Sequence, residues 1–547
     1  MAPNIPLIPL LVVSSVAESL LIVSFFPQYL PHNPLVYVLV RALAFNAAAL
    51  AVYKVLIYPL LSPLARNLPH PKNDGWWPNG LAQYSKPAGQ DFSKWVDTTP
   101  NDGIIYFRGL MNTDRLLVTS PKAIGELLVT RSYDFEKPAV LRNFLRKILG
   151  DGLIIVEGDM HKFQRKHIMP VFSFRHIKEL YPMMWKKAIS LTEGVMAEMH
   201  DTPDRVVEIN HWSNKVTMDI IGVAGLGREF NSLKNSDDEL IQNYEEILEP
   251  TTEKVIYFVC NLLIPQPILQ ALPWKLNKRV NIITSNLKTI CRQLVRDKRE
   301  LVKKNADDHL DILSVLLKSN NFSDDELVDQ LLTFLAAGHE TTSSAFTWAT
   351  HLLSKNPTIQ SRLRSEILSA VPPADTIGPE TDLASILESL PLLNGVCNET
   401  VRLYPTVPIT IREAVRPTEL LGNHIPAGTA VVVCPLAINR SAELWGPDAK
   451  EFKPDRWINE ETGTPNKTGG AESNYAIATF LHGPRSCIGQ GFAMAELRCL
   501  IAAFICRFAW EMADPKEEPV VAGVITTKPR DGMHLRLKKF EEGEKEG

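Results

Sequence analysis

The segment Phe480-Leu481-His482-Gly483-Pro484-Arg485-Ser486-Cys487-Ile488-Gly489 sets a single cysteine between glycines, just ahead of the helical pattern Phe492-Ala493-Met494-Ala495-Glu496-Leu497. A sulfur at the mouth of a helix is held as thiolate by backbone N–H groups and the positive helix end, and Gly483 and Gly489 let that backbone come close. One chemistry open to such a lone anionic sulfur is iron ligation. A haem iron takes it as proximal ligand, and the charge it donates favours splitting of dioxygen on the opposite face. Arg485 carries the planar cation that pairs with a haem propionate. The other six cysteines, at 260, 291, 397, 434, 499 and 506, are widely spaced with no CxxC pair. They read as small apolar core residues rather than disulfides or zinc ligands, which fits a reducing compartment.

A second group lies in an apolar run: Ala337-Gly338-His339-Glu340-Thr341-Thr342. A carboxylate inside a buried helix must be paired or useful. On one reading, small residues at Ala337 and Gly338 open a groove for a planar ligand and a diatomic molecule, while Glu340 and Thr341 relay protons. On the other, the helix is kinked, its Glu is solvated and its threonines bond back to the backbone. His339 is an ordinary helix residue on either reading. The element that must carry this group is long. Ser323-Asp324-Asp325-Glu326 forms a capping box and Lys355-Asn356-Pro357 stops the pattern, so the spacing predicts a helix about 50 Å long that crosses a whole domain.

Glu399 and Arg402 share a helix face at i, i+3, and with Arg456 of Phe452-Lys453-Pro454-Asp455-Arg456-Trp457 they form a candidate buried charge network beside the cysteine loop. Alone, the pair reads as a surface contact contributing at most about 1 kcal/mol. In company it means more. FLHGPRSCIG matches the cysteine-loop pattern FxxGxRxCxG of the cytochrome P450 family at every fixed position, AGHETT resembles its oxygen-activation motif, and Glu399, Arg402 and Arg456 resemble its structural triad. The resemblance covers roughly residues 70 to 540.

It implies a mostly α fold with small β-sheets (α+β) in a single large catalytic domain. It also implies haem b (iron protoporphyrin IX) as cofactor, with O2 as co-substrate. The haem-binding set carried over is His161, Arg165, Ala337, Gly338, Arg412, Phe480, Gly483, Arg485, Cys487 and Gly489, with Glu340 and Thr341 as catalytic residues. His161 departs from the pattern: His161-Lys162-Phe163-Gln164-Arg165 stands where the family often has WxxxR. His161 and Arg165, one helical turn apart, still suit a propionate. Phe334, Val407, Ile409, Thr410, Val524 and Ile525 would line an apolar substrate pocket, fit for a terpenoid, polyketide-derived or fatty molecule of the kind met in fungal secondary-metabolite pathways. No GxGxxG fingerprint opens a strand–helix unit, so NADPH acts only through a separate reductase, NADPH-cytochrome P450 reductase, with cytochrome b5 a further candidate partner. Two rivals are a haem-thiolate isomerase or dehydratase needing no external electrons, and a non-enzymatic membrane haem-binding protein. Glu340 with Thr341 argues against the first.

The rest of the chain supplies setting. Ile5 to Phe26 holds one charge, Glu18, and suits a membrane span; Leu35 to Leu61, interrupted by Arg41 and Lys54, is a second span or an interfacial helix. Lys54, Arg66 and Lys72 follow this region and nothing basic precedes it, which faces the bulk of the protein to the cytosol; the resemblance implies the endoplasmic reticulum membrane. The expected organisation is an anchor over 1–62, a proline-rich hinge over 63–75, the catalytic domain over 76–540 and a charged tail over 541–547. Val255 to Trp274, apolar with three prolines, reads either as a loop dipping into lipid beside an access channel or as core. Net charge is -4 with Lys and Arg dispersed, which gives no footing for nucleic acid.

Overall fold

The computed structural model of the chain describes residues 7–29, 34–72, 89–109, 112–234, 238–248, 251–264, 266–304, 311–373, 376–378, 380–523 and 525–540. The tail over 541–547, part of the hinge and Val524 lie outside the described residues. Two compact units emerge, Met1–Ser85 with Thr99–Leu117, and Lys86–Thr98 with Val118–Gly547.

In the first unit, α1 (Leu7–Phe25) and α2 (Pro34–Val52) pack on each other. The apolar stretch Pro34–Ile57 is long enough to cross a membrane. Pro63 starts a short helix, Pro63–Asn67, capped by the Ser62 hydroxyl. Strands β1 (Ile104–Arg108) and β2 (Asp114–Val118) are neighbours in a sheet. The Asp114 carboxylate accepts hydrogen bonds from Tyr106 Oη (2.9 Å), Tyr58 Oη (3.0 Å) and Ser62 Oγ (2.8 Å). That network ties the end of the expected anchor to chain some fifty residues on, so the N-terminal unit is larger than the apolar stretch alone.

The second unit is helical around one long element. In chain order its main parts are β3 (Phe135–Glu136), α3 (Gly158–Ile168), α4 (Phe174–Asp201), β4 (Val206–Glu208), α5 (Ile209–Ile221) and α6 (Lys275–Lys303). They are followed by α7 (Asp324–Ser354), α8 (Pro391–Leu403), β5 (Thr410–Ala414), β6 (Ala430–Val433), α9 (Gln490–Arg507), β7 (Phe508–Met512) and β8 (His534–Lys539). Helix α7 begins at the expected capping box, with Ser323 and Glu326 satisfying each other's backbone N–H groups, and ends at Lys355. It packs against α5, α6, α8 and α9 and is buried over most of its length, the situation in which an apolar helix replaces lost water contacts with dense packing. The sheets are small: β5 pairs antiparallel with β6 and β3, setting Arg412 opposite Val431, and β8 pairs antiparallel with β4 and β7.

Val255 to Trp274 is not a loop. It forms helices Thr252–Leu263 and Gln266–Ala271; Pro267 falls at a helix start and Pro273 after a helix end, where a missing N–H is harmless. Tyr257, Leu269 and Val280 make a small core there, while Ile256, Ile268 and Leu272 are exposed.

Candidate active site

Between Gln330 and Leu353 helix α7 is closed except at one place. Ala336, Ala337, Gly338, Glu340 and Thr341 are half-buried between fully buried runs on either side. The helix therefore opens at the segment the sequence singled out. The Thr341 hydroxyl donates to the Ala337 carbonyl (2.8 Å), the back-bonded form of a helical threonine, which leaves its oxygen able to accept. Gly338 has a packing reason of its own: a Cβ there would stand 2.7 Å from Ile221 Cδ1 of α5. Its missing side chain admits a neighbouring helix, a cause different from the ligand groove read in the sequence.

The cysteine loop has the same character, since no residue from Phe480 to Gly489 is buried. Of seven cysteines, only Cys487 is exposed. Its N–H donates to the Phe480 carbonyl (2.7 Å), closing the loop ahead of α9. Gly483 has φ +66° and lies against the Leu128 carbonyl, so a side chain would be both strained and blocked. Gly489 is different: a Cβ would find nothing nearer than Phe172 Cε1 at 3.7 Å. The protein's own atoms leave room there, beside Cys487. Although the residue is open to the surface, the protein packed around its sulfur pushes the Cys487 thiol up, opposed by a bond from the Gly489 N–H and by the Arg165 charge. Both Arg165 Nη atoms bond Ser486, one to its carbonyl (2.7 Å) and one to its hydroxyl (2.9 Å). Arg165 thus touches the residue before the sulfur.

Around it stand cations without enough partners. Arg485 pairs with Glu157, both nearly buried, and donates to the Val156 carbonyl (3.3 Å). Arg412, buried, donates to Thr410 Oγ1 and the Ile411 carbonyl, each at 2.9 Å. Lys137, which nothing in the sequence marked, donates to the Ile154 carbonyl (2.8 Å). Burial and then Arg412 push Lys137 down to about 7, and burial with Arg485 brings Arg412 to about 10 despite Glu157. His161 is buried with Nδ1 unpartnered; burial and four neighbouring cations, Arg485, Arg165, Lys137 and Arg412, push it down to about 3. Mutual depression of this kind marks a cluster short of negative charge. Two propionates would supply that charge, Cys487 could ligate an iron and Gly489 leaves room. The residues fit a haem.

Behind the loop, Glu399 accepts from Arg402 Nε and Nη2 (2.7 Å each), Arg456 Nε (3.0 Å), Trp457 Nε1 (2.9 Å) and the Lys453 N–H (3.0 Å). Arg402 in turn donates to the carbonyls of Asn439 and Ala449 (2.6 Å each). The expected triad is one buried network, and Lys453 and Trp457 join it. Glu496 of α9 is fully buried with neither oxygen partnered by geometry; burial pushes its carboxyl well above the usual range, opposed by Thr342. Among pocket candidates, Val407, Ile409 and Thr410 are half-buried. Phe334 is buried with its ring edge-on to Phe172 (5.8 Å), and Ile525 is exposed.

Comparison with known proteins bears on this geometry. A family model described as Cytochrome P450 matches residues 69–535. Cytochrome P450 monooxygenase sphH of Aspergillus fumigatus is 42% identical over 496 residues, 89% of this chain and 90% of the relative. Cytochrome P450 monooxygenase ptmK of Penicillium ochrochloron is 39% identical over 498 residues, 89% of this chain and 96% of the relative. Cytochrome P450 monooxygenase ALT8 of Alternaria alternata is 36% identical over 553 residues, 90% of this chain and 92% of the relative.

Proposed function

The chain belongs to the cytochrome P450 family, and from that premise we propose that it is a membrane-anchored haem monooxygenase that oxidises an apolar small molecule of secondary metabolism, a terpenoid or a polyketide. One observation carries the reading: the single exposed cysteine lies beside a cluster of cations that crowd one another around Glu157. Haem b, bound there, supplies dioxygen activation and transfer of one oxygen atom to substrate.

The protein's own part follows from the residues. Cys487 ligates the iron, and the Gly489 N–H with the Arg165 charge steadies its negative sulfur. Lys137, His161, Arg165, Arg412 and Arg485 hold the propionates. Thr341 accepts a hydrogen bond at the open face of α7 and Glu340 delivers protons to it, which favours oxygen activation over a rearrangement needing no electrons. The Glu399 network keeps the loop rigid, so that little reorganisation is left for the reaction itself. Electrons come from NADPH through a membrane-bound NADPH-cytochrome P450 reductase, with cytochrome b5 as an additional donor. The site of action is the endoplasmic reticulum membrane, with the catalytic unit facing the cytosol.

Cys487→Ala tests this. The variant retains the wild-type circular dichroism but loses the thiolate-type Soret band of the reduced, carbon-monoxide-bound form, and cells co-expressing a reductase lose the oxidised product made by wild type. A variant that kept both the band and the product would overturn the reading.

A further inference from the structure

The first unit carries an arrangement that a single-span anchor does not need. Helices α1 and α2, each of 19 residues, are about 28 Å long, close to the roughly 30 Å of a bilayer's hydrocarbon. They pack on each other across a connection of eight residues, so they run antiparallel. Their contact is lined by small and polar groups: Ser15 and Ser19 on α1, and Val38 and Ala42 one turn apart on α2, are buried, with Asn46 the next turn on. The Asn46 amide donates to Glu18 Oε2 (2.8 Å) and to Ser15 Oγ (3.0 Å), and Ser15 and Ser19 bond back into α1. Large apolar side chains face outward all round, among them Val13, Leu21, Val36, Val40 and Phe45. An interfacial helix keeps its polar groups on the outer face; here they lie on the inner one, as in helices that associate within lipid.

Depth points the same way. Ser15 lies ten residues before the end of α1 and Asn46 twelve after the start of α2, about 15–18 Å from the turn, the middle of the hydrocarbon layer. Arg41 lies over the Tyr37 ring (4.1 Å), directed toward the turn, from where its long side chain reaches the interface. Past α2 the polar contacts resume at Val55, whose carbonyl accepts from Asn112 Nδ2 (2.6 Å), and continue through the Tyr58 and Ser62 bonds to Asp114. The turn region 26–34 has no Lys or Arg, whereas Lys54, Arg66 and Lys72 follow α2, the charge bias of a lumenal turn and a cytosolic exit.

We propose that α1 and α2 cross the bilayer as an antiparallel hairpin clamped by Asn46 on Glu18 and Ser15, so that the chain ahead of Leu7 lies on the same, cytosolic side as the catalytic unit. This rests on the membrane-anchor reading above and deepens it. The test uses the full chain in microsomes, with one epitope tag ahead of Leu7 and another inserted at residues 28–29. Protease added outside removes the first tag and spares the second, and the protein resists carbonate extraction. A protected first tag with a digested turn tag overturns the hairpin while leaving an anchor; release by carbonate overturns the anchor itself. The clamp has its own readout. Asn46→Leu lowers the protected fraction of the turn tag at least twofold, and Glu18→Leu in that background restores it, since both unpaired polar groups are then gone. An unchanged fraction in Asn46→Leu overturns the clamp.

Discussion

Lys137 gives the sharpest test of the cation cluster. In the haem-free fold its ammonium is pushed down to about 7, by burial first and then by Arg412. At pH 8 it is therefore about nine-tenths neutral. Propionates beside it favour the charged form, so haem binding at pH 8 draws in about 0.9 proton through this residue. Cys487 gives up a proton to the iron in wild type and variant alike, and that contribution cancels in their difference. Calorimetry of haem binding in two buffers of unlike ionisation heat counts the protons. Wild type takes up about 0.9 proton more than Lys137→Met at pH 8 and the same number at pH 5, where Lys137 is already charged. The sign carries over to stability. Between about 7 and 10.5 the unfolded chain binds more protons here than the haem-free fold, so the haem-free protein gains stability with rising pH across that window while haem affinity loses its Lys137 contribution. Equal proton counts for the two proteins at pH 8 would refute the placing of Lys137 against the propionates.

Glu399→Gln leaves the buried Arg402 without its counter-charge and Arg456 with Asp448 alone, a change costing about 3–5 kcal/mol; the urea midpoint falls accordingly and haem is lost on gel filtration, and an unchanged midpoint refutes the bracing role. Gly483→Ala drives a Cβ toward the Leu128 carbonyl at φ +66°, so haem per mole of purified protein drops severalfold with circular dichroism retained; full haem content would show that the loop yields. Glu496→Gln tests a buried acid held protonated. Because its folded pKa is raised, the fold binds a proton the unfolded chain has lost above about 4.5, and wild type loses stability relative to the variant as pH rises from there, by at most about 1.4 kcal/mol per unit. Parallel melting temperatures from pH 5 to 8 would contradict it.

What could be read from sequence and what could not divides along a physical line. The capping box at Ser323 and Glu326, the Cys487 loop and the Glu399–Arg402 pair are each built from neighbours in the chain, so spacing alone carries their geometry. Lys137 and Glu157 carry no such mark. A lysine before a proline looks like solvated surface, and only the fold brings it among Arg412, Arg485 and His161. The same holds for Asp114, which binds Tyr58 and Ser62 across more than fifty residues, and for Gly338, whose reason is Ile221 on another helix. At Val255 to Trp274 the sequence left loop and core both open, because proline breaks a helix from inside but is compatible with its start, as at Pro267. The cation cluster is the most informative of these. Burying several cations around so few carboxylates, Glu157 and Glu136, costs free energy that packing alone does not return. An anionic ligand bound there would offset that cost and so add to the stability of the structure.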